Sequence, residues 1–522
     1  MTHQDRSGTT SAAPDLEAGG DVLDDFVEVA RARPNHAAVV HGATVITYQD
    51  LTERVHLVAA RYRSAGFGGD RAAGPVGVVV AHTPAFVDHL LGVLQAGAAF
   101  TPIDANFPPA RMQTLAAVLG LDRVYAAATV SGEPELRVES LGELPAPGAG
   151  EPCWTQARPS DPAYVLCTSG STGQPKPVVV SRRAVTVTVR ALRKLFALTP
   201  EDRVLQFAAL GWDTCLEEVL PALTAGATVI FDDAAHSGSF PSFCRMLAER
   251  AITVLDLPTA FWHELVLYLH EEQVELPGSV RLVVIGGERV DSTRLRQWRD
   301  LDRGQVTLLN TYGCTETTMI THAVQLSGPG TEPDVAAEVE APLGRPLPHV
   351  GEHVTEAGEL LVSGPGLASG YLGSPGRDQN AFRVADHGFG PRRWFHTGDL
   401  VVRMPSGLSF PRGRTDDQIK VLGVRVHPAE VEARLNTHPA VRGAVVVGER
   451  RLGRTVLVAY VVSVGATTSV ELKRYLRRHL PSQFVPSKVT FVAALSHTSS
   501  GKVDRAATQR AAANRASEGA IR

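Results

Sequence analysis

A nine-residue segment rich in glycine and hydroxyl side chains lies between two short apolar runs. The segment is TSGSTGQPK at residues 168–176, and the apolar runs cover 163–167 and 177–180. Glycine lets backbone N–H groups turn toward an anion, hydroxyls add donors without bulk, and a lysine adds positive charge. A flexible surface turn would also suit this composition, but the flanking runs and the closing lysine favour a β-hairpin that binds polyphosphate. The predicted phosphate contacts are Thr168, Ser169, Gly170, Ser171, Thr172, Gly173 and Lys176.

Three later segments place carboxylates near predicted strand ends. Residues 310–316, NTYGCTE, follow a predicted strand, so Glu316 would sit at its carboxyl end. A carboxylate there, opposite a phosphate loop, suits Mg²⁺, although simple helix capping is the alternative. HTGD at 396–399 and GRTD at 413–416 each contain glycine, and we predict both as turns between strands.

The elements that must position these residues follow an α/β pattern. Apolar runs alternate with helical patterns from residue 21 to about 320, which predicts layered sheets covered by helices. We predict helices over 21–33, 84–95 and 109–119, and strands over 76–80, 99–103, 203–207, 227–231, 252–256, 281–286 and 306–310. Antiparallel strands are predicted over 358–363, 394–396 and 400–403. From about 417, one strand, a helix at 428–435, strands at 441–448 and 455–463, a helix at 469–479 and a strand at 489–493 form a smaller unit.

At 522 residues the chain exceeds the usual size of one core, so we expect more than one domain. The predicted fold class is α/β: a large N-terminal domain of layered α/β sheets with a small β-barrel-like portion, and a small mobile α+β C-terminal domain. The predicted bounds are a disordered N-terminus at 1–20, the large domain at 21–415, a small lid domain at 416–510 and a tail at 511–522.

Composition narrows the class of protein further. Hydrophobic residues make up 44% and charged residues 20%, as in a soluble globular protein, and the net charge of −4 gives no reason to expect nucleic acid or an anionic membrane as partner. The chain has no apolar run of transmembrane length and no hydrophobic signal core, so we predict a cytoplasmic protein. Its five cysteines lack metal-ligand spacing. Only six of the 51 basic residues are lysine, and three of those six fall in the segments discussed here.

Together these motifs resemble the adenylate-forming enzymes, which include the amino-acid adenylation domains of nonribosomal peptide synthetases, acyl- and aryl-CoA ligases and luciferases. The resemblance extends from Tyr48 to Lys502. It implies ATP and Mg²⁺ as cofactors, with Glu316 binding the metal. It also implies that Asn310, Thr311, Tyr312, Asp399 and Arg414 bind ATP, that Asp416 is the hinge between the domains, and that Lys420 acts once the small domain has rotated.

Lys502 matches the family's catalytic lysine. Its ammonium could bridge the substrate carboxylate and the α-phosphate and stabilise the charge that develops on phosphorus. No general base is required, because a carboxylate is already ionised near neutral pH.

The segment WDTCLEE at 212–218 indicates which acid is activated. Trp212-Asp213 resembles the Phe-Asp of amino-acid adenylation domains, in which the aspartate pairs with the substrate's amino group. If Asp213 opens a helix, Glu217 lies one turn later on the same face, and a substrate with two amines would relieve the repulsion of two carboxylates in one pocket. Glu217 could instead face solvent, and Glu218 is expected to be structural. The other pocket positions implied by the resemblance are Thr214, Val284, Gly286, Thr311, Met319 and Ile320.

We therefore expect an enzyme that activates lysine, β-lysine, ornithine or a related diamino acid as its aminoacyl-AMP. Its partner would be a separate peptidyl carrier protein with a phosphopantetheine thiol, because no carrier segment follows Lys502. An MbtH-like activator is a further candidate partner. The alternatives are an acyl- or aryl-CoA ligase, which Asp213 disfavours, and an inactive nucleotide-binding scaffold.

Overall fold

The computed structural model describes residues 16, 19–68, 74–129, 136–141, 157–170, 173–302, 305–373, 376, 380–451, 454–496 and 503–520. The predicted disordered segment 1–20 lies almost entirely outside these residues. The helices are α1 Val22–Ala32, α2 Tyr48–Ser64, α3 Pro84–Gln95, α4 Pro109–Leu119, α5 Arg182–Leu195, α6 Thr214–Ala225, α7 Phe240–Glu249, α8 Thr259–Glu272, α9 Ser292–Asp302, α10 Pro333–Ala337, α11 Pro428–Asn436, α12 Ser469–Arg477 and α13 Arg505–Ala520. None of the helices within the described ranges is long and apolar enough to cross a membrane.

The strands of the large part alternate with these helices, as the apolar pattern predicts. They are β1 Ala37–His41, β2 Thr44–Thr47, β3 Val76–Val80, β4 Phe100–Asp104, β5 Arg123–Ala126, β6 Arg137–Glu139, β7 Pro162–Thr168, β8 Lys176–Ser181, β9 Arg203–Leu205, β10 Thr228–Phe231, β11 Val254–Pro258, β12 Leu282–Gly286, β13 Thr307–Tyr312, β14 His322–Ser327, β15 Arg345–Pro346, β16 Gly351–Val354, β17 Glu359–Ser363, β18 Gly370–Tyr371, β19 Phe382–Ala385, β20 Arg392–Arg403 and β21 Ser409–Arg414. The small part contributes β22 Ile419–Val421, β23 Val424–Val426, β24 Val441–Arg451, β25 Arg454–Ser463 and β26 Lys488–Phe491.

Two large sheets form the body of the molecule. One sheet has the strand order β15-β14-β13-β12-β11-β9-β10-β1-β2, and the other has the order β18-β8-β7-β4-β3-β5-β6. Their shared hydrophobic core takes residues from α1, α2, α3, α5 and α6, whereas α7, α8 and α9 cover the opposite face of the first sheet. The layered α/β prediction is confirmed.

The parallel strands β11, β12 and β13 bring their carboxyl ends to one edge of the first sheet. Asp256 pairs in register with Val284, and Gly286 pairs with Thr311. Chemistry in open α/β sheets is commonly built at this edge, because the loops that follow parallel strands emerge there together.

A third, antiparallel sheet corrects one local prediction. Its order is β16-β17-β20-β19, with β21 also paired to β20. The HTGD segment was predicted as a turn between two strands, but β20 runs unbroken through it, with a register shift at Leu400/Val401. Pairing to β17 on one side and β21 on the other keeps the chain extended, and Gly398 (φ +70°) absorbs the irregularity. Asp399 therefore lies within a strand, and Asp416 lies just beyond the end of β21.

The small part has its own core, formed by α11, α12 and the sheet β24-β25-β26. Its order of elements agrees with the prediction, with two differences. The run 418–425, predicted as a loop, forms the antiparallel hairpin β22–β23, with Lys420 in its first strand. The segment predicted as a tail from 511 continues α13 as far as Ala520.

Candidate active site

The hairpin β7–β8 holds the predicted phosphate loop at its tip. The two strands pair antiparallel up to Thr168 and Lys176, which lie opposite each other. Gly170 has no room for a side chain, because a Cβ there would lie 2.0 Å from the carbonyl oxygen of Gln174. Gly173 has φ +78° and packs against α11 of the small part. Of the predicted contacts, Ser171 and Thr172 lie outside the described residues.

Glu316 lies beside this loop, in a short 3-10 turn after β13 rather than at the start of an α-helix. Its Oε1 accepts hydrogen bonds from the hydroxyls of Tyr371, at 3.2 Å, and Thr168, at 3.5 Å. Its Oε2 is buried without a hydrogen-bond partner and lies 3.6 Å from Nη1 of Arg425. A fixed carboxylate with one unused oxygen next to a phosphate loop fits the ligand preference of Mg²⁺.

Asp399 and Arg414 are neighbours across β20 and β21. Arg414 donates to Asp399 at 2.5 Å, and the hydroxyl of Tyr312 donates to the other carboxylate oxygen at 2.6 Å. Burial opposes ionisation of Asp399, but Lys420, Arg425 and Arg414 together lower its pKa. Arg414 also donates to Asp416 at 2.6 Å. These predicted nucleotide contacts and the predicted hinge residue thus form one continuous chain of charged hydrogen bonds.

Asn310 and Thr311 have their polar groups bound within the protein. The Asn310 amide donates to the carbonyl of Pro342 at 2.7 Å, and the Thr311 hydroxyl donates to the carbonyl of Ile285 at 3.0 Å. A Cβ on Gly286 would lie 2.6 Å from the Thr311 hydroxyl oxygen, so this pair keeps one wall of the site small.

The hairpin β22–β23 carries two cations from the small part toward these residues. Lys420 and Arg425 are register partners, and both line a cavity between this hairpin and the edge of the first sheet. The Lys420 ammonium lies 5.6 Å from the ring centre of Tyr312, and burial lowers its pKa to about 8. The Lys502 position lies outside the described residues, so its catalytic role stays a prediction.

Sequence reasoning missed Arg425. Its guanidinium lies between two carboxylates, 3.6 Å from Glu316 and 3.8 Å from Asp399. The period-two alternation of valines with cations over 420–426 carried the signal, since it puts Lys420 and Arg425 on the face opposite the valines.

A cavity of about 350 Å³ opens between the sheet edge and this hairpin. Its lining includes the predicted pocket residues Asp213, Thr214, Glu217, Gly286, Thr311, Met319 and Ile320. Val284 is not part of that lining, because its side chain is wholly buried in the adjacent core.

Asp213 lies immediately before α6 and points to the Thr315–Met319 turn. It accepts hydrogen bonds from the Met319 backbone N–H at 3.2 Å and the Thr315 hydroxyl at 3.3 Å. Thr318 and Met319 both have positive φ, +59° and +64°, which is unusual for residues other than glycine and aims that N–H at the carboxylate. Burial nevertheless raises the pKa of Asp213 to about 6.

A further carboxylate, Asp256 on β11, lies beside Glu217 of α6. Both side chains are buried and line the cavity, and Asp256 Oδ2 has no hydrogen-bond partner. Burial and mutual repulsion raise the pKa of Glu217, and burial raises that of Asp256. Sequence reasoning missed Asp256, although a lone carboxylate in the apolar strand VLDLP was the available signal.

Glu218 has a different environment from Glu217. It accepts hydrogen bonds from the backbone N–H groups of Phe207, at 2.9 Å, and Ala208, at 2.8 Å, and from the Gln206 amide at 3.0 Å. These donors hold the loop after β9 against α6.

Comparison with known families agrees with this arrangement. The AMP-binding enzyme family matches residues 26–372, and the AMP-binding enzyme C-terminal domain matches residues 430–502. The chain belongs to the AMP-binding enzyme family. The predicted adenylate-forming superfamily and the predicted class of enzyme, an adenylating acid–thiol ligase, are confirmed.

Curated relatives of this AMP-binding enzyme include nonribosomal peptide synthetases. It is 38% identical over 514 residues to isonitrile lipopeptide synthase from Streptomyces coeruleorubidus, covering 95% of this chain and 34% of that protein. It is 32% identical over 545 residues to syringomycin synthase SyrB1 from Pseudomonas syringae pv. syringae, covering 100% of this chain and 86% of that protein. The chain thus spans about a third of the first relative's length.

Solved structures share the fold of this AMP-binding enzyme. NpsA-ThdA, an artificially fused adenylation-PCP di-domain from Klebsiella oxytoca, has a TM-score of 0.78 at 23% identity, covering 90% of this chain and 93% of that chain. A mutant o-succinylbenzoate CoA synthetase from Bacillus subtilis has a TM-score of 0.79 at 20% identity, covering 93% and 98%. At these identities the likeness is one of fold alone.

Proposed function

We propose that this chain activates a basic diamino acid, such as lysine, β-lysine or ornithine, with ATP and Mg²⁺ and passes it to the phosphopantetheine thiol of a carrier protein. The observation that carries the proposal is the set of three carboxylates, Asp213, Glu217 and Asp256, on one cavity. Within the described part of the chain, none of the three forms an ion pair with a cation, and no cation is among the main causes of their pKa shifts.

Buried carboxylates without cations are costly, because removing one ion from water costs several kcal/mol. A ligand with two ammonium groups would offset this cost at both ends. The first amine would bind Asp213, close to the phosphate loop, and the second would bind between Glu217 and Asp256. A ligand with one amine would leave the second pair of carboxylates uncompensated.

The nucleotide would occupy the opposite side of the site. The loop at Thr168–Lys176 would hold the phosphates, and Asp399 and Arg414 would hold the ribose. Glu316 would hold Mg²⁺, which would offset negative charge on the phosphates when bound. Lys502 would approach from the small domain.

Two half-reactions follow from this placement. In the first, the substrate carboxylate oxygen attacks the α-phosphorus of ATP, and the bond to pyrophosphate breaks. In the second, a carrier thiol loses its proton and attacks the acyl carbon, and AMP leaves. The fused adenylation-PCP protein and the synthetase relatives support a carrier as the second substrate.

A CoA synthetase has the same fold, so the fold does not distinguish an amino-acid adenylating enzyme from a CoA ligase. The chemistry of the acid substrate distinguishes the two. A fatty or aryl acid would leave three carboxylates facing an apolar ligand. The charge of the cavity therefore favours an amino acid. The set of Lys176, Glu316 and Asp399 at one site argues against an inactive scaffold.

ATP–pyrophosphate exchange across α-amino, β-amino, diamino and plain carboxylic acids tests the proposal. We expect exchange to be greatest with a diamino acid and weak with its analogue that lacks the distal amine. Exchange only with a plain fatty or aryl acid would refute amino-acid activation. Exchange with apolar amino acids alone would refute the diamino assignment.

A further inference from the structure

Glu217 and Asp256 are two buried carboxyls that line the same cavity. Asp256 Oδ2 is buried without a hydrogen-bond partner, and repulsion from Asp256 helps raise the pKa of Glu217. Two buried carboxylates that repel each other without a cation favour a proton on one of them, and that proton would let one carboxyl donate a hydrogen bond to the other. The proton would lie where the proposed substrate would put its second amine.

We propose that the Glu217–Asp256 pair shares one proton in the substrate-free enzyme and that the distal ammonium of a diamino acid displaces this proton into solvent. This inference rests on the proposed function, because it assumes a substrate with a second amine. The O–H bond of the shared proton breaks as the ammonium takes over the contact, and the pair gains one negative charge.

Within the described residues, no lysine or arginine forms an ion pair with Glu217 or Asp256. The titratable or charged groups of the described residues that face the pair from neighbouring elements, or that line the same cavity, are Asp213, Cys215, Glu218, Tyr164, His82, His236, Cys314, Lys420 and Arg425. Asp213 and Glu218 add repulsion rather than relief.

The two histidines on the cavity wall differ in their surroundings. Burial lowers the pKa of His236 to about 4, which leaves it neutral near pH 7. His82 Nδ1 lies 2.7 Å from Gln206 Oε1. The Gln206 amide nitrogen donates to Glu218, so the carbonyl oxygen accepts from His82.

The two cavity-lining cations of the small part, Lys420 and Arg425, have other neighbours. Arg425 lies between Glu316 and Asp399, and Lys420 lies over the ring of Tyr312. The pair thus has a proton or a ligand cation as its means of compensation.

A shared proton would make the pocket selective in a specific way. An uncharged chain end can neither replace the proton nor compensate a second negative charge, so the pair would stay protonated and present a donor. An ammonium can do both. Binding of a diamino ligand would therefore release a proton, and binding of its mono-amine analogue would not.

Calorimetry in buffers of different ionisation enthalpy measures this proton directly. The probe is the non-hydrolysable sulfamoyl-adenosine analogue of whichever acid among lysine, β-lysine and ornithine gives the fastest exchange. The control is the same analogue without its distal amine. Near pH 7 the distal amine is already protonated, so it adds nothing to the count.

We expect the wild-type enzyme to release about one proton with the diamino probe and close to none with the control. Asp256→Asn should reduce the release to near zero, because the asparagine amide replaces the shared proton as donor. If that variant fails to fold, the wild-type comparison of probe and control decides alone. A diamino acid that supports exchange but whose analogue binds without proton release would overturn the shared proton, whereas absence of exchange with every diamino acid would overturn the proposed function instead.

Discussion

Arg111 of α4 and Glu430 of α11 form a buried ion pair that joins the large and small parts. Their Nη1 and Oε1 atoms lie 2.5 Å apart, and their side chains are only 7% and 3% exposed. The guanidinium also lies 5.6 Å from the ring centre of Phe484 in the core of the small part. Burial raises the pKa of Glu430, and Arg111 opposes that rise. The pair joins α4 to α11, the helix that directly follows the β22–β23 hairpin.

Arg111→Met should weaken the contact between the large and small parts, since it leaves the Glu430 carboxylate buried without its partner. Breaking a buried pair in this way typically costs about 3–5 kcal/mol. We expect carrier loading to fall at least tenfold relative to pyrophosphate exchange, measured on the same preparation. Arg454→Gln is the matched control, because its ion pair with Glu264 joins the same parts but is much more exposed and should contribute about 1 kcal/mol or less. Equal losses in the two variants would contradict this role.

Lys502→Ala should lower adenylate formation steeply and leave ATP binding nearly intact. Loss of a cation positioned on developing phosphate charge typically costs roughly 10²–10³ in rate. Exchange kinetics and nucleotide titration, measured side by side, separate the two effects. Lys488→Ala, which removes an exposed lysine from the same part, should change neither. Unchanged exchange in Lys502→Ala would exclude the catalytic role.

Glu217→Gln and Asp256→Asn should selectively impair diamino acids. Each change removes a charged hydrogen bond to the distal ammonium, which is worth about 1.5–3 kcal/mol, or roughly 10- to 100-fold in kcat/KM. The ratio of kcat/KM for a diamino acid to that for its mono-amine analogue is the quantity to measure. An equal loss for both substrates would mean that these side chains shape the pocket without binding the second amine.

Glu316→Gln should raise the Mg²⁺ concentration needed for half-maximal exchange. Glutamine keeps the side-chain size and an acceptor for Tyr371 but removes the charge that would hold the ion. Magnesium titrations at saturating ATP measure the effect. Glu332→Gln removes an exposed carboxylate that does not line the cavity, and it serves as the control. A Mg²⁺ requirement that stays the same in Glu316→Gln would count against metal binding at this residue.

The stability of the ligand-free enzyme should depend on pH through Asp256. Burial raises its pKa to about 7 in the folded protein, whereas an unfolded aspartate titrates near 3.9. Between these values the native state binds more protons at this site, so the contribution of Asp256 to the free energy of unfolding falls as pH rises.

Asp256→Asn removes this pH-dependent contribution to the free energy of unfolding. The melting temperature of the wild type should therefore fall relative to that of the variant as the pH rises from about 4 to 7. The difference between the two proteins is the relevant quantity, because buried histidines with lowered pKa values affect both alike. A constant difference in melting temperature across this range would refute the raised pKa.

Local patterns in the sequence determined much of this protein. The loop at 168–176, the alternation of helices and strands, and the opening of α6 at Asp213 all follow from glycine placement, apolar periodicity and spacing within a few residues. These features depend on neighbours along the chain.

Only the tertiary structure decided the relationships between distant segments. It joined 392–403 into one strand, because β17 and β21 pair along both sides of it. It placed Asp256 next to Glu217, because the register of the sheet edge fixes the position of Asp256. It also placed Arg425 between Glu316 and Asp399, because the position of the small part fixes those two distances. Charge compensation in a buried site depends on through-space neighbours, which spacing along the chain does not specify.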